Sequence, residues 1–270
     1  ITSRKCLMIG LFLGENQLPL EILKSLKKKK IKYFIIDLTK NNKFKKNKNS
    51  FFISIGKFGK ILNLIKSKKC KKVIFAGNII KPRISKLKLD IKGIYYMPRI
   101  VKASKLGDAA ILKELINILS ENKIRVIKLN TYNPELTIKY GCYTKTKPSK
   151  LDISTIKKGI KILNKSNSFN HVQALVINNY SVVSFEKKNG TKHMLKTIKK
   201  NKLVRNLLIK MPKTKQDLRV DLPTIGLKTF KDCKRANIKG IVVKANQNIF
   251  LDKSESLNFA NKNNIFLVAQ

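Results

Sequence analysis

The sequence predicts an α/β protein of two domains, the first on a parallel sheet and the second on a mixed one. Three observations predict it. Through residues 6–129, short apolar runs alternate with amphipathic stretches, as in strands joined by crossover helices. The alternation breaks over Thr131–Lys150, where Pro134, Gly141 and Pro148 punctuate the chain. Beyond the break, two β-rich runs flank Asn178-Asn179, a pair suited to a hairpin turn. A Rossmann-like domain is therefore expected over 1–132 and a distinct α/β domain over 133–270.

Each element has its own reason. Cys6–Leu13 reads as a buried first strand, because its apolar run lacks the small-residue cleavage site of a signal peptide. Leu18, Ile22, Leu23 and Leu26 form one stripe of a helix. Tyr33–Asp37, Phe51–Ser54 and Val73–Ala76 read as strands, with a helix marked by Ile61, Leu62 and Ile65 between the last two. Leu106–Glu121 is a helix with Ile111, Leu112, Leu115, Ile116 and Leu119 at helical spacing, and Arg125–Leu129 returns as strand. The second domain restarts with a helix at Ile153–Leu163 and a hairpin of Val172–Ile177 and Val182–Glu186. A helix then follows Gly190, with Thr191 as its expected N-cap. Leu207–Lys210, Gly240–Val243, Ile249–Leu251 and Ile265–Val268 read as strands, with helices at Lys228–Ala236 and Ser254–Asn261.

Composition narrows the function classes. With 43% hydrophobic residues the chain can build a core, yet it has no apolar run of about 18 residues to span a membrane. The four cysteines are scattered, which argues against a zinc site or disulfide framework and fits a reducing compartment. Two histidines exclude a histidine-rich metal site. The net charge is +45, from 60 Lys and Arg against 15 Asp and Glu. Such a surface attracts polyanions. The same excess, nearly all lysine and accompanied by Ile and Asn, also fits drift toward A/T-rich codons on a tolerant surface. Specific nucleic-acid binding is not expected, since no recognition-helix or RNP-type motif is present and aromatics make up 7%. A nicotinamide-dependent oxidoreductase is disfavoured, because Gly10 and Gly14 do not form G-x-G-x-x-G.

Against this lysine background, the acidic cluster Asp217-Leu218-Arg219-Val220-Asp221-Leu222 stands out. Its alternation predicts an extended strand ending at Pro223, with Asp217, Arg219 and Asp221 on one face about 6.5–7 Å apart and Leu218, Val220 and Leu222 toward the core. Thr224 or Gly226 would cap a following helix. Two carboxylates can hold a hard cation, an arginine can fork onto a phosphate, and a helix N-terminus offers N–H groups to an anion. Lys213, Lys215 and Gln216 stand just before them. The set suits hydrolysis of a phosphate ester or pyrophosphate. The competing reading is an arginine bridging two aspartates on an exposed face.

These residues resemble the signature of the LpxI-type UDP-2,3-diacylglucosamine pyrophosphatases, K-x-P-x-x-x-Q-D-x-R-x-D-L-P-T-I-G, which stands here from Lys210 and Pro212 through Gln216, Asp217, Arg219 and Asp221 to Gly226. Shorter blocks extend the likeness: Gly10 and Gly14 with Leu18-Pro19, Gly59-Lys60, Ala76-Gly77 with Lys81-Pro82, Gly107-Asp108, and Gly190-Thr191 with Met194-Leu195. The resemblance implies cleavage of UDP-2,3-diacylglucosamine to UMP and lipid X in lipid A biosynthesis, with Mg²⁺ or another divalent cation such as Mn²⁺. It implies substrate held between the two domains, a homodimer, and a cytoplasmic enzyme peripheral to the anionic inner face of the inner membrane. By the same likeness, Asp221 is the essential residue, Asp217 and Arg219 join it in catalysis, and both aspartates are metal ligands. Substrate contacts fall to Gly10, Gly14, Leu18, Pro19, Ala76, Gly77, Gly190, Thr191, Lys213, Gln216 and Thr224. Water would attack the glucosamine-side phosphorus. Asp108 and Glu186 are candidates for supporting roles. The pattern departs at Asn16, where the family has glycine, and at Ala109, Asn189, Lys192 and Lys244, where it is acidic. Those losses motivate an alternative, a weakened homologue that binds a nucleotide-sugar without turning it over.

Overall fold

The computed structural model describes residues 8–80, 84–166, 172–187, 189–198, 205–213 and 217–270. The chain divides into two compact units, Ile1–Pro134 and Glu135–Gln270.

The first unit runs β1 (Ile9–Leu13), α1 (Leu18–Lys28), β2 (Tyr33–Asp37), β3 (Ser50–Phe52), α2 (Phe58–Ser67), β4 (Lys72–Ala76), α3 (Ile91–Lys105), α4 (Asp108–Glu121) and β5 (Arg125–Val126). Its five strands are all parallel, in the order β3-β2-β1-β4-β5. β1 is buried throughout, as a near-continuous apolar run should be when both faces of a parallel sheet are covered. Leu13 pairs with Asp37 on one side and Ala76 on the other. The strand order reverses between β1 and β4, so their C-terminal ends form the switch point where open α/β sheets bind ligands.

Two features differ from expectation. The last strand is only two residues long and gives way to a 3₁₀ turn at Leu129–Thr131. Helix α3 was not expected, since its sequence carries an internal Pro98 and leaves Ile91, Ile94 and Tyr95 exposed. Asp90 starts it: its side chain accepts from Gly93 N at 2.8 Å and also from Gly59 N and Lys60 N at the head of α2. Burial works against the Asp90 charge, but these backbone donors hold its carboxyl below the usual range. Arg99 of α3 forks onto Glu121 of α4 at 2.6 and 2.8 Å and reaches Glu114 as well.

The second unit runs β6 (Gly141–Cys142), α5 (Lys150–Ser166), β7 (Ala174–Asn178), β8 (Ser181–Phe185), α6 (Gly190–Thr197), β9 (Asn206–Lys210), β10 (Thr224–Ile225), α7 (Leu227–Arg235), β11 (Ile238–Val243), β12 (Ile249–Phe250), α8 (Lys253–Lys262) and β13 (Phe266–Ala269). Six strands form a mixed sheet, β6-β13-β11-β9-β7-β8, in which β13, β11 and β9 are parallel and β6, β7 and β8 pair antiparallel. β10 and β12 pair separately. Side-chain alternation divides the core: Leu208, Ile241 and Val243 pack with Phe230 and Phe250 on one face, and Ile209 and Val242 pack with Ile156 and Leu163 on the other. The hairpin turn sits at Asn179-Tyr180, one residue later than expected, with both φ positive at 40° and 67°. Tyr180 is held there by Ser154 Oγ, 2.7 Å from its hydroxyl, and by Lys158 over its ring.

Candidate active site

The second unit assembles its polar groups around the exit of β9. That strand delivers Lys210 into the interior, where only 8% of it is exposed. Its Nζ donates to Thr191 Oγ1 at 3.0 Å, and Thr191 Oγ1 donates to Glu186 Oε1 at 3.0 Å. Glu186 is buried just past the end of β8, and its Oε2 has no hydrogen-bond partner among the described residues. Burial pushes the Lys210 pKa below its ordinary value; the charge of Glu186 foremost, and that of Asp221 among others, opposes the shift. Asp221 therefore lies within electrostatic reach of Lys210.

Asp217–Leu222 is not a strand. Val220 N and Asp221 N both donate to Asp217 O at 3.1 Å, which closes a turn, and Leu218, Val220 and Leu222 are only half-buried. The cause is local. Asp217 Oδ1 accepts from Arg219 N at 2.9 Å, a side-chain bond that competes with any ladder. The same carboxylate receives Arg219 Nε at 3.0 and 3.2 Å and Nη2 at 2.7 Å. Of the two sequence readings, the arginine thus does pair with Asp217, which engages both carboxylate oxygens. Asp221 makes no side-chain hydrogen bond or ion pair among the described residues. Pro223 precedes a strand rather than ending one, and its carbonyl accepts from Ile249 N at 2.8 Å. Thr224 lies in β10 and donates to Leu222 O, so it does not cap α7; Gly226 holds that position. Thr191 is likewise no N-cap: it sits inside α6, after Asn189, with its hydroxyl turned to Glu186. Lys213 is half-buried. Gln216 lies outside the described residues, as do Cys6, Lys81, Pro82 and Lys215.

In the first unit, Gly14 and Gly77 close the switch point. Gly14 N donates to Ala76 O at 2.8 Å, and Glu15 and Asn78 exchange backbone bonds at 2.7 and 3.3 Å. Gly77 has φ +86°, and a Cβ there would stand 2.8 Å from Pro19 Cγ at the buried start of α1, beside Leu18. Gly10 does different work: a Cβ would press on Phe34 and Val73 within the sheet, so this glycine serves packing. Asn16 takes φ 77°, a conformation asparagine tolerates, and its Oδ1 accepts from Leu18 N at 3.0 Å. A side chain is therefore accommodated at the first departure. Ala109, Asn189, Lys192 and Lys244 are all exposed, with Asn189 and Lys192 flanking Gly190-Thr191 at the start of α6. Asp108 heads α4 at the surface, suited to the positive end of the helix dipole.

Sequence reasoning gave Lys210 no role, though it opens the 17-residue signature. The available signal was a lysine ending an otherwise apolar strand run, NLLIK.

Comparison with known proteins follows this division of the chain. The model of the LpxI N-terminal domain matches residues 8–136, and that of the LpxI C-terminal domain matches residues 139–268. The chain belongs to the LpxI family. It is 28% identical over 224 residues to the UDP-2,3-diacylglucosamine pyrophosphatase LpxI of Caulobacter vibrioides, covering 80% of each chain. For an LpxI protein, the carboxylate left uncommitted, Asp221, falls inside the D-L-P-T-I-G stretch of the signature.

Proposed function

We propose that the protein hydrolyses the pyrophosphate bond of UDP-2,3-diacylglucosamine, giving UMP and 2,3-diacylglucosamine 1-phosphate in lipid A synthesis. The observation that carries this reading is Asp221, a carboxylate with no side-chain partner among the described residues, two residues beyond Arg219 of the Asp217–Arg219 fork. Water adds its oxygen to the glucosamine-side phosphorus, the bridging P–O bond breaks, and UMP leaves with the bridging oxygen. Arg219 Nη1 has no acceptor among the described residues, so it remains available to a phosphate oxygen while Asp217 fixes the plane of the guanidinium. Asp221 orients the attacking water or accepts its proton.

A divalent cation, Mg²⁺ or Mn²⁺, fits this donor set in one way. Among the described residues no three His, Cys, Asp or Glu side chains group to hold a metal ion. Magnesium is commonly held by one or two carboxylates together with substrate phosphates and water. Asp221 would hold it; Asp217 is engaged by Arg219. When bound, the cation would neutralise charge building on the phosphate oxygens.

A diacylated substrate has to be met at a bilayer surface, and no described helix is long and apolar enough to cross one. Helix α3 supports peripheral contact. It leaves Ile91 85% exposed beside exposed Ile94 and Tyr95, and it carries Lys92, Lys102 and Lys105 with no acidic residue. Ile94→Asp should reduce sedimentation with anionic vesicles; equal binding to neutral vesicles would remove this part of the reading. A homodimer belongs to the same reading and is checked by light scattering.

Hydrolysis in H₂¹⁸O tests the reaction itself. One labelled oxygen in the sugar phosphate and none in UMP is expected. Label in UMP would contradict attack at the glucosamine side, and absence of both products would contradict the function.

A further inference from the structure

The cluster Lys210–Thr191–Glu186 is incomplete as it stands. An ammonium has three N–H bonds, and Lys210 spends one, on Thr191 Oγ1, among the described residues. Glu186 has two carboxylate oxygens, and among the described residues Oε1 is engaged while the buried Oε2 has no partner. A purely structural buried network is expected to close on itself, because a half-satisfied one costs more than an apolar core. This one is left open at its cationic end. It also stands at the C-terminal edge of β9, a parallel strand of the mixed sheet, where the chain enters the segment bearing Asp217, Arg219 and Asp221.

We infer that Lys210 is a phosphate-contacting residue, donating its spare N–H bonds to a diphosphate oxygen while Thr191 and Glu186 position it. The inference rests on the pyrophosphatase reading for its ligand and adds a third contact to that site. Thr191 fixes the direction of the ammonium, and Glu186 fixes the Thr191 hydroxyl as donor. Glu186 also opposes the burial that lowers the Lys210 pKa. Gly190 is suited to the same arrangement: its φ of +80°, which glycine adopts without strain, starts α6 so that Thr191 faces the cluster.

The test uses the full chain with uridine diphosphate and Mg²⁺ in a calorimeter, alongside thermal melting. Lys210→Met keeps the length and removes the charge; it leaves Glu186 buried without its counter-charge, so its melting temperature should fall, and binding is compared below that temperature. Its dissociation constant for uridine diphosphate should rise about 10- to 100-fold, the effect of one hydrogen bond to a charged group. Thr191→Val, nearly isosteric, keeps the lysine but frees its direction and should weaken binding about 3- to 10-fold; it decides the matter if Lys210→Met does not fold. Folded variants that bind uridine diphosphate as the wild type does would overturn the inference, as would a wild type that does not bind it. Wild-type protein that binds uridine diphosphate but releases no UMP from the diacylated substrate would sink the hydrolytic reading alone, and the comparison of variants would still stand.

Discussion

Replacing Gly14 by alanine is expected to part the two loops that close the first sheet at its switch point. A Cβ at Gly14 would stand 2.3 Å from Asn78 O and 2.7 Å from Asn78 C. Both are backbone atoms, so no rotamer change relieves the clash, and the Asn78 loop must retreat by about 1 Å to reach ordinary contact. The retreat breaks the exchange in which Glu15 N donates to Asn78 O at 2.7 Å and Asn78 N donates to Glu15 O at 3.3 Å. At about 0.5–1.5 kcal/mol for each bond, the loss is about 1–3 kcal/mol. A chain of this size loses about 2–4 °C of melting temperature per kcal/mol. Gly107→Ala is the matched control. Gly107 has φ +104° but nothing within 4 Å of its missing Cβ, so its cost is conformational strain at the start of α4. Amide hydrogen exchange separates the two. Gly14→Ala should speed exchange at Glu15 and Asn78, and Gly107→Ala should not. A Gly14→Ala protein with wild-type melting and unchanged protection at both amides would refute the reasoning.

The remaining predictions concern the site and the stability of the second unit. Arg219→Lys gives up the planar fork onto Asp217, and kcat/KM for UMP release should fall about 10- to 100-fold with little change in melting temperature; wild-type turnover would remove Arg219 from the site. Asp152 pairs with Lys239 at 2.7 Å. Burial works against its charge, but Lys239 and Ser149 hold its carboxyl below the usual range. A depressed carboxyl stabilises the fold above its unfolded pKa and loses that contribution as pH falls through its folded pKa. The melting difference between wild type and Asp152→Asn, about 1–3 kcal/mol at pH 7, should therefore shrink steadily as pH is lowered below the ordinary carboxylate range. A difference that is flat with pH would contradict the assignment.

Much of the fold is legible because local chemistry and tertiary demand agree. Tyr33–Asp37 is a continuous apolar run ending in a turn-favouring aspartate, and it forms β2 over those residues. Leu18, Ile22, Leu23 and Leu26 line the buried face of α1, as their spacing requires. Where the two disagree, the sequence misleads. Polar–apolar alternation from Asp217 to Leu222 has the period of a strand, yet one bond from Arg219 N to the Asp217 side chain turns the chain first. Helix α3 escapes notice because its inward face is only Gly93, Tyr96 and Ala103, while Ile91, Ile94 and Tyr95 are exposed and Pro98 interrupts it, so no long apolar stripe marks it. The signature residues were legible as a set by resemblance. Their division of labour was not, since which carboxylate is tied to Arg219 and which is free depends on the turn. Lys210 was hidden for a similar reason: a lysine after an apolar strand reads as a solvated end, whereas here the chain stays buried through Met211.

UMP release from UDP-2,3-diacylglucosamine, compared between wild type and Asp221→Asn, tests the central claim most directly. The substitution keeps shape and removes the one carboxylate charge of this segment that no described partner engages. Wild-type protein with Mg²⁺ should release UMP, EDTA should abolish release, and Asp221→Asn should lower it about 10³-fold or more while remaining folded. Release by Asp221→Asn at the wild-type rate would contradict the account.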